Sequence, residues 1–84
     1  MKLIFSSKAW ESYLYWQSTD KKMLKRINAL IKEIQRTPFE GTGKPEPLKH
    51  GLMGYWSRRI NDEHRLVYKV EDGAVLIAQL RYHY

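Results

Sequence analysis

The spacing of apolar residues changes once along this chain, from a helical period to a period of two. Between Lys21 and Arg36 the apolar residues recur at steps of one and three, which is typical of one face of an α-helix. From Tyr55 onward apolar and polar residues alternate, as they do in a half-buried β-strand. Helices followed by strands predict an α+β fold.

Local signals divide this pattern into elements. Leu3 to Phe5 is a strand candidate, and a first helix is expected from about Lys8 to Ser18 after the Ser6-Ser7 pair, which supplies a capping hydroxyl. Thr19 or Asp20 can cap the second helix, from Lys21 to Arg36, which must end before Pro38. Turn signals at Asn61-Asp62 and Asp72-Gly73 separate three further strands, the last from Ala74 to Tyr84. The predicted order is β-α-α-β-β-β: one antiparallel sheet with both helices on one face and the other face free for function.

Size and composition limit the class of protein. The 84 residues suffice for a single domain over residues 1–84, and the absence of cysteine excludes disulfides and thiolate metal sites. The longest apolar run, Ala74 to Ala78, is far shorter than the ~20 residues of a membrane span. The first residues do not resemble a secretory signal. We therefore expect a cytoplasmic protein without a membrane partner.

The segment between the helical and strand regions is long and stiff. All three prolines lie between Thr37 and Pro47, together with Gly41 and Gly43. Glu46 stands between Pro45 and Pro47, so its backbone has little freedom. A carboxylate in a pre-set position suits a general base, although an ordinary loop glutamate would look the same in sequence.

The charge balance indicates a polyanionic partner. A net charge of +6 and a pI of about 9.7 favour nucleic acid. Arg59 and Arg65 flank the first predicted hairpin turn, and we expect them to converge on an anion because arginine binds phosphate through a bidentate fork. The cations of the second half of the chain are Lys44, Lys49, Arg58, Arg59, Arg65, Lys69 and Arg81.

The end of the chain offers a proton donor. Residues 80–84 combine Arg81, His83 and two tyrosines, and His83 is the candidate general acid. His50 remains a rival for this role, whereas His64 opens a strand and is more typical of a packed histidine. The three scattered histidines form no zinc pattern, and no phosphate-binding glycine motif occurs, so neither a metal nor a cofactor is predicted.

One carboxylate, one histidine and several arginines meet the needs of metal-free RNA cleavage. The carboxylate takes the proton of a ribose 2′-hydroxyl, arginine stabilises the phosphoryl oxygens, and the histidine protonates the departing 5′-oxygen. Two alternatives stay open: a non-catalytic RNA-binding module or translation inhibitor without cleavage, and an inhibitor of another machine that binds polyanions.

The chain resembles the YoeB family of the RelE/ParE toxin superfamily along its whole length. The stretches that carry the resemblance are 13–16 (YLYW), 36–41 (RTPFEG), 43–50 (GKPEPLKH), 55–60 (YWSRRI), 63–68 (EHRLVY) and 81–84 (RYHY). The resemblance implies a microbial-ribonuclease-like fold. It also implies a ribosome-dependent messenger RNA endoribonuclease that cuts codons in the ribosomal A site, leaving a 2′,3′-cyclic phosphate and a 5′-hydroxyl.

The resemblance further implies roles and partners. It makes Glu46 the base, His83 the acid and Arg65 the phosphate stabiliser. Three other residues would bind and orient RNA: Lys49, Arg59 and Tyr84. A YefM-type antitoxin is expected to wrap the toxin, with operator DNA bound only through that complex, and a homodimer is compatible with the resemblance. Departures from the family, such as Phe5 and Met53, lie outside the catalytic set.

Overall fold

Two helices and five strands make up residues 1–82, the part of the chain that the computed structural model describes. A 3₁₀ turn precedes the three long strands. The elements are β1 (Lys2–Phe5), α1 (Ser7–Thr19), α2 (Lys21–Arg36), β2 (Glu46–Pro47), the 3₁₀ turn (His50–Leu52), β3 (Tyr55–Arg59), β4 (Arg65–Glu71) and β5 (Ala74–Gln79). The helices agree with the sequence prediction to within one residue at each end.

Both helices begin at the side chains that the sequence offered as caps. The Ser6 hydroxyl accepts a hydrogen bond from the Ala9 N–H at 3.1 Å. Asp20, rather than Thr19, caps α2, and its carboxylate accepts from the N–H groups of Lys22 and Met23. These oxygens satisfy amide groups that have no partner within the first turn of a helix.

The sheet is mixed, with the strand order β1-β5-β4-β3-β2. The α+β class and the two packed helices are confirmed, but β1 runs parallel to β5, whereas the sequence predicted a fully antiparallel sheet. Alternation of side chains shows which face a residue occupies but not the direction of its neighbour. Because α1 and α2 lie between β1 and the rest of the sheet in sequence, no hairpin forces β1 to be antiparallel.

The last strand is shorter than predicted. It ends at Gln79 rather than continuing to Tyr84. The Leu80 carbonyl accepts a hydrogen bond from Trp16 Nε1 at 2.9 Å, and Tyr82 has a φ of 65°, so the backbone leaves the extended conformation there. His83 and Tyr84, which the prediction placed in this strand, lie outside the described residues.

The core lies between the sheet and the helices. The apolar stripe of α2 packs on the face of the sheet that carries Leu66, Tyr68 and Ile77, all of which are fully buried. Residues that alternate with these positions project to the opposite side, here called the second face. The helices formed by residues 1–82 are too short or too polar to span a bilayer.

Candidate active site

Three neighbouring strands bring Glu46, Arg59 and Arg65 to the second face. Glu46 of β2 pairs with Ser57 of β3, and Arg59, two residues further along β3, pairs with Arg65 of β4. Directly opposed Cβ atoms in antiparallel strands lie about 5 Å apart and diagonal neighbours about 7–8 Å apart. The sheet register therefore brings the candidate base and two candidate phosphate ligands into one cluster, although they are far apart in sequence.

The pairing of two arginines concentrates positive charge. Like charges directly opposite each other in a sheet oppose folding. Neither Arg59 nor Arg65 forms an ion pair with a carboxylate of residues 1–82. Arg59 is exposed and Arg65 is half-buried. A polyanion that bridges both guanidinium groups would relieve this repulsion. Two neighbouring guanidinium groups are therefore suited to bind a phosphate.

Backbone contacts fix the orientation of the Arg65 guanidinium. Its Nη1 donates to the carbonyl of Asn61 at 2.8 Å and to that of His64 at 3.2 Å. These are the hydrogen bonds of the side chain within residues 1–82, and neither uses Nε or Nη2, the edge through which arginine can bind a phosphate.

Backbone hydrogen bonds hold the segment around Glu46 to β3, one before Glu46 in the sequence and one after it. The Arg59 N–H donates to the Gly43 carbonyl at 2.7 Å, and the Leu48 N–H donates to the Tyr55 carbonyl at 2.9 Å. Leu48 is buried. Glu46 itself is exposed on β2, between two prolines. The restricted backbone inferred from those prolines is thus held to the sheet from residue 43 to residue 48.

Arg58 organises the preceding loop, a role that sequence reasoning missed. The sequence makes it one of the candidate cations, but its side chain is fully buried on the helical side of the sheet. It donates to the carbonyls of Thr37, Glu40 and Thr42 and to the carboxylate of Glu33. The alternation of β3 could have revealed this, because Arg58 shares its face with Trp56 and Ile60.

Glu33 completes this arrangement. Its carboxylate accepts from the Thr42 N–H at 2.6 Å and from the Thr42 hydroxyl at 3.0 Å. The Thr42 hydrogen bonds, together with the Arg58 guanidinium, hold the pKa of Glu33 below its ordinary value. Burial raises the pKa of Tyr68, so its hydroxyl stays protonated and donates to the Pro38 carbonyl. Hydrogen bonds to Glu33, Arg58 and Tyr68 thereby hold the loop from residue 37 to residue 43 in place.

Lys49 and His50 lie beside Glu46. These three residues, with Pro47 and Leu52, line a shallow depression of about 410 Å³. Lys49 and His50 are both exposed, and His50 has a φ of 60°. The structure therefore brings the predicted RNA ligand Lys49 and the rival acid His50 to the candidate base.

Other candidates are separated from this cluster. His64 is buried with its ring edge-on to Trp16, at a centroid distance of 4.9 Å, which fits the packed role expected for it. The Arg81 guanidinium stacks 3.8 Å from the ring centre of Tyr15 on α1, so it belongs to the helix packing. The predicted acid His83 and the predicted RNA ligand Tyr84 fall outside the described residues, and their positions stay predictions.

Comparison with known proteins places this arrangement in a family. Residues 5–84 match the model of the YoeB-like toxin of bacterial type II toxin-antitoxin systems. Toxin YoeB of Escherichia coli strain K12 is 67% identical over 84 residues, which cover both chains completely.

Solved structures show the same fold. The YoeB dimer from Staphylococcus aureus superimposes with a TM-score of 0.93 at 55% identity, covering all of this chain and 98% of that one. The toxin in a heterotetrameric YoeB-YefM toxin-antitoxin complex from the same organism gives a TM-score of 0.92 at 55% identity, with the same coverage.

Proposed function

This chain belongs to the family of YoeB-like toxins of bacterial type II toxin-antitoxin systems, and from that membership we propose that it is a ribosome-dependent messenger RNA endoribonuclease. It cuts the codon in the ribosomal A site and leaves a 2′,3′-cyclic phosphate and a 5′-hydroxyl. The reaction uses only side chains of the protein and needs no metal or cofactor.

In the proposed mechanism, Glu46 takes the proton of the ribose 2′-hydroxyl while the 2′-oxygen bonds to the adjacent phosphorus. The bond from phosphorus to the 5′-oxygen breaks, and the His83 imidazolium gives its proton to that oxygen. Arg65 stabilises the charge on the phosphoryl oxygens. Three further residues bind and orient the RNA: Lys49, Arg59 and Tyr84.

One observation carries the proposal: the register of β2, β3 and β4. It sets an exposed carboxylate diagonally across from a pair of arginines without a carboxylate partner among residues 1–82. A carboxylate beside such a pair suits substrate-assisted phosphodiester cleavage, because proton removal and charge stabilisation are needed a few ångströms apart.

The proposal includes a protein partner. We propose that a YefM-type antitoxin binds this chain. The Staphylococcus aureus complex supports this, because it contains a YoeB toxin together with YefM. The Staphylococcus aureus dimer supports a homodimer of this chain. Operator DNA would be bound only through the toxin-antitoxin complex. The proposed place of action is the cytoplasm, where the ribosomes are.

Cleavage of messenger RNA on programmed ribosomes tests the function, with E46Q as the decisive variant. Glutamine keeps the shape of Glu46 and loses its basicity, so the cleavage rate should fall ~10²- to 10⁴-fold. Mapping of the RNA ends should show 5′-hydroxyls with the wild type, and the same RNA without ribosomes should stay intact. Binding of the antitoxin by E46Q serves as the control for folding.

The same experiment separates the alternatives. An unchanged rate in E46Q would remove Glu46 from the mechanism. Intact message with the wild-type protein, combined with translation arrest or salt-sensitive RNA binding, would support an inhibitor or RNA-binding module without cleavage.

A further inference from the structure

We propose that His64 is a positioning residue: its neutral imidazole holds the backbone of Tyr82, the residue that precedes the proposed acid His83 in the sequence, through Nδ1. This inference rests on the proposed function, because it concerns the placement of the proposed acid. His64 itself is buried and does not touch the RNA in this proposal.

His64 is held in place through its backbone and its ring. The Asn61 side-chain oxygen accepts hydrogen bonds from the N–H groups of Glu63 and His64, at 2.9 and 2.7 Å. The His64 carbonyl accepts from the Ile60 N–H at 3.0 Å. The ring packs against the indole of Trp16. A residue whose backbone is hydrogen-bonded and whose ring is packed can impose its position on whatever its side chain binds.

What His64 binds is the backbone just before the proposed acid. The Tyr82 N–H donates to His64 Nδ1 at 2.7 Å. The Tyr82 carbonyl accepts from the Arg65 N–H at 3.1 Å and from Gln79 Nε2 at 3.2 Å. Both polar backbone groups of Tyr82 are thus held, and two of the three contacts come from the adjacent residues His64 and Arg65.

The conformation of Tyr82 shows why this hold is needed. Its φ of 65° lies in the left-handed region, which costs a non-glycine residue free energy. Two residues before Tyr82, Trp16 Nε1 donates to the Leu80 carbonyl at 2.9 Å. Without the hydrogen bond to His64, Tyr82 could relax toward an ordinary φ and redirect the chain that follows.

The hydrogen bond also defines the tautomer of His64. Because Nδ1 accepts, the imidazole hydrogen must be on Nε2, which lies 3.5 Å from a carboxylate oxygen of Glu63. His83 follows Tyr82 directly in the sequence. An error of about 1 Å in the position of a catalytic group can cost on the order of 10²-fold in rate.

Two substitutions at one position test the proposal: H64L and H64N. Leucine fills the apolar surroundings but cannot accept a hydrogen bond. Asparagine places an acceptor oxygen the same number of bonds from Cα as Nδ1. We expect H64L to lower kcat for ribosomal cleavage by about 10- to 100-fold with KM nearly unchanged, and H64N to recover most of that loss.

Stability cannot explain such a recovery. Asparagine is smaller and more polar than leucine in a buried position, so H64N should be no more stable than H64L. A spectroscopic signature adds a direct readout, because scalar coupling between the Tyr82 amide nitrogen and His64 Nδ1 reports their hydrogen bond in the wild-type protein.

The outcomes are distinct from those that test the endoribonuclease activity. If the wild type cuts message and H64L cuts equally well, or H64N is as impaired as H64L, the positioning role is wrong while the proposed function stands. Absence of the coupling, with hydrogen found on Nδ1, would also overturn it. If the wild type cuts nothing, both proposals fail.

Discussion

Arg58 and Arg59 are neighbours in sequence and have opposite roles in the structure. The Arg58 side chain is fully buried and binds three backbone carbonyls and a carboxylate. Arg59 is exposed on the second face, opposite Arg65 and without a carboxylate partner among residues 1–82. The pleat of β3 alone separates them, since successive side chains point to opposite faces.

The difference shows how one residue type can serve as scaffold or as ligand site. Inside the protein the N–H groups of Arg58 bind protein acceptors instead of water. These hydrogen bonds fix the loop that precedes Glu46 in the sequence. On the second face, the side chain of Arg59 is exposed, and we propose that it binds RNA. Net charge therefore predicts a polyanion partner without identifying the cations that touch it.

The largest expected effect on stability is that of R58M, and R59M is its matched control. R58M removes the common donor of three backbone carbonyls and the cation beside Glu33, so the free energy of unfolding should fall by about 3–5 kcal/mol. R59M should change that free energy by less than about 0.5 kcal/mol. Urea unfolding followed by Trp fluorescence measures both, and equal losses in the two variants would contradict the division of roles.

R59M is also expected to change the activity of the protein. R59M removes one proposed ligand of the RNA phosphate. It should lower the rate of ribosomal cleavage by about 10- to 100-fold, the worth of one hydrogen bond to a charged group. Binding of the antitoxin controls for folding. An R59M protein with the wild-type rate would exclude Arg59 from RNA binding.

A smaller effect is expected from Y68F. The Tyr68 hydroxyl accepts from Arg58 Nε at 3.3 Å and donates to the Pro38 carbonyl. Its loss leaves a buried donor and acceptor without partners and should cost about 1–3 kcal/mol of unfolding free energy. Thermal unfolding at neutral pH measures this, and no change would mean that water replaces the hydroxyl.

The smallest effect is a pH dependence from Glu33. Because the Thr42 N–H and Arg58 lower the pKa of Glu33 in the folded state, its contribution to stability is fully present above the unfolded-state pKa. It is lost as pH falls through the folded-state pKa. E33Q should therefore be less stable than the wild type at neutral pH, with a difference that shrinks in acid. Urea midpoints from about pH 7 down to about pH 3 test this, and a constant difference would contradict it.

Local patterns determined the elements of this fold. The caps at Ser6 and Asp20 begin the helices where the sequence indicated. The Asp72-Gly73 turn has positive φ at both residues, as a two-residue hairpin requires. These features depend on residues that are close together in the sequence, so the order of residues is enough to predict them.

The order of residues alone specifies the helices, the hairpins, the positive charge and, through its motifs, the family. The packing of the elements in three dimensions makes β1 parallel to β5, buries Arg58 beside Glu33 and sets Glu46 diagonally across from Arg59. These features join residues distant along the chain. Their pairing depends on how whole elements pack, because a local period specifies the face of a residue and not its neighbour on the next strand.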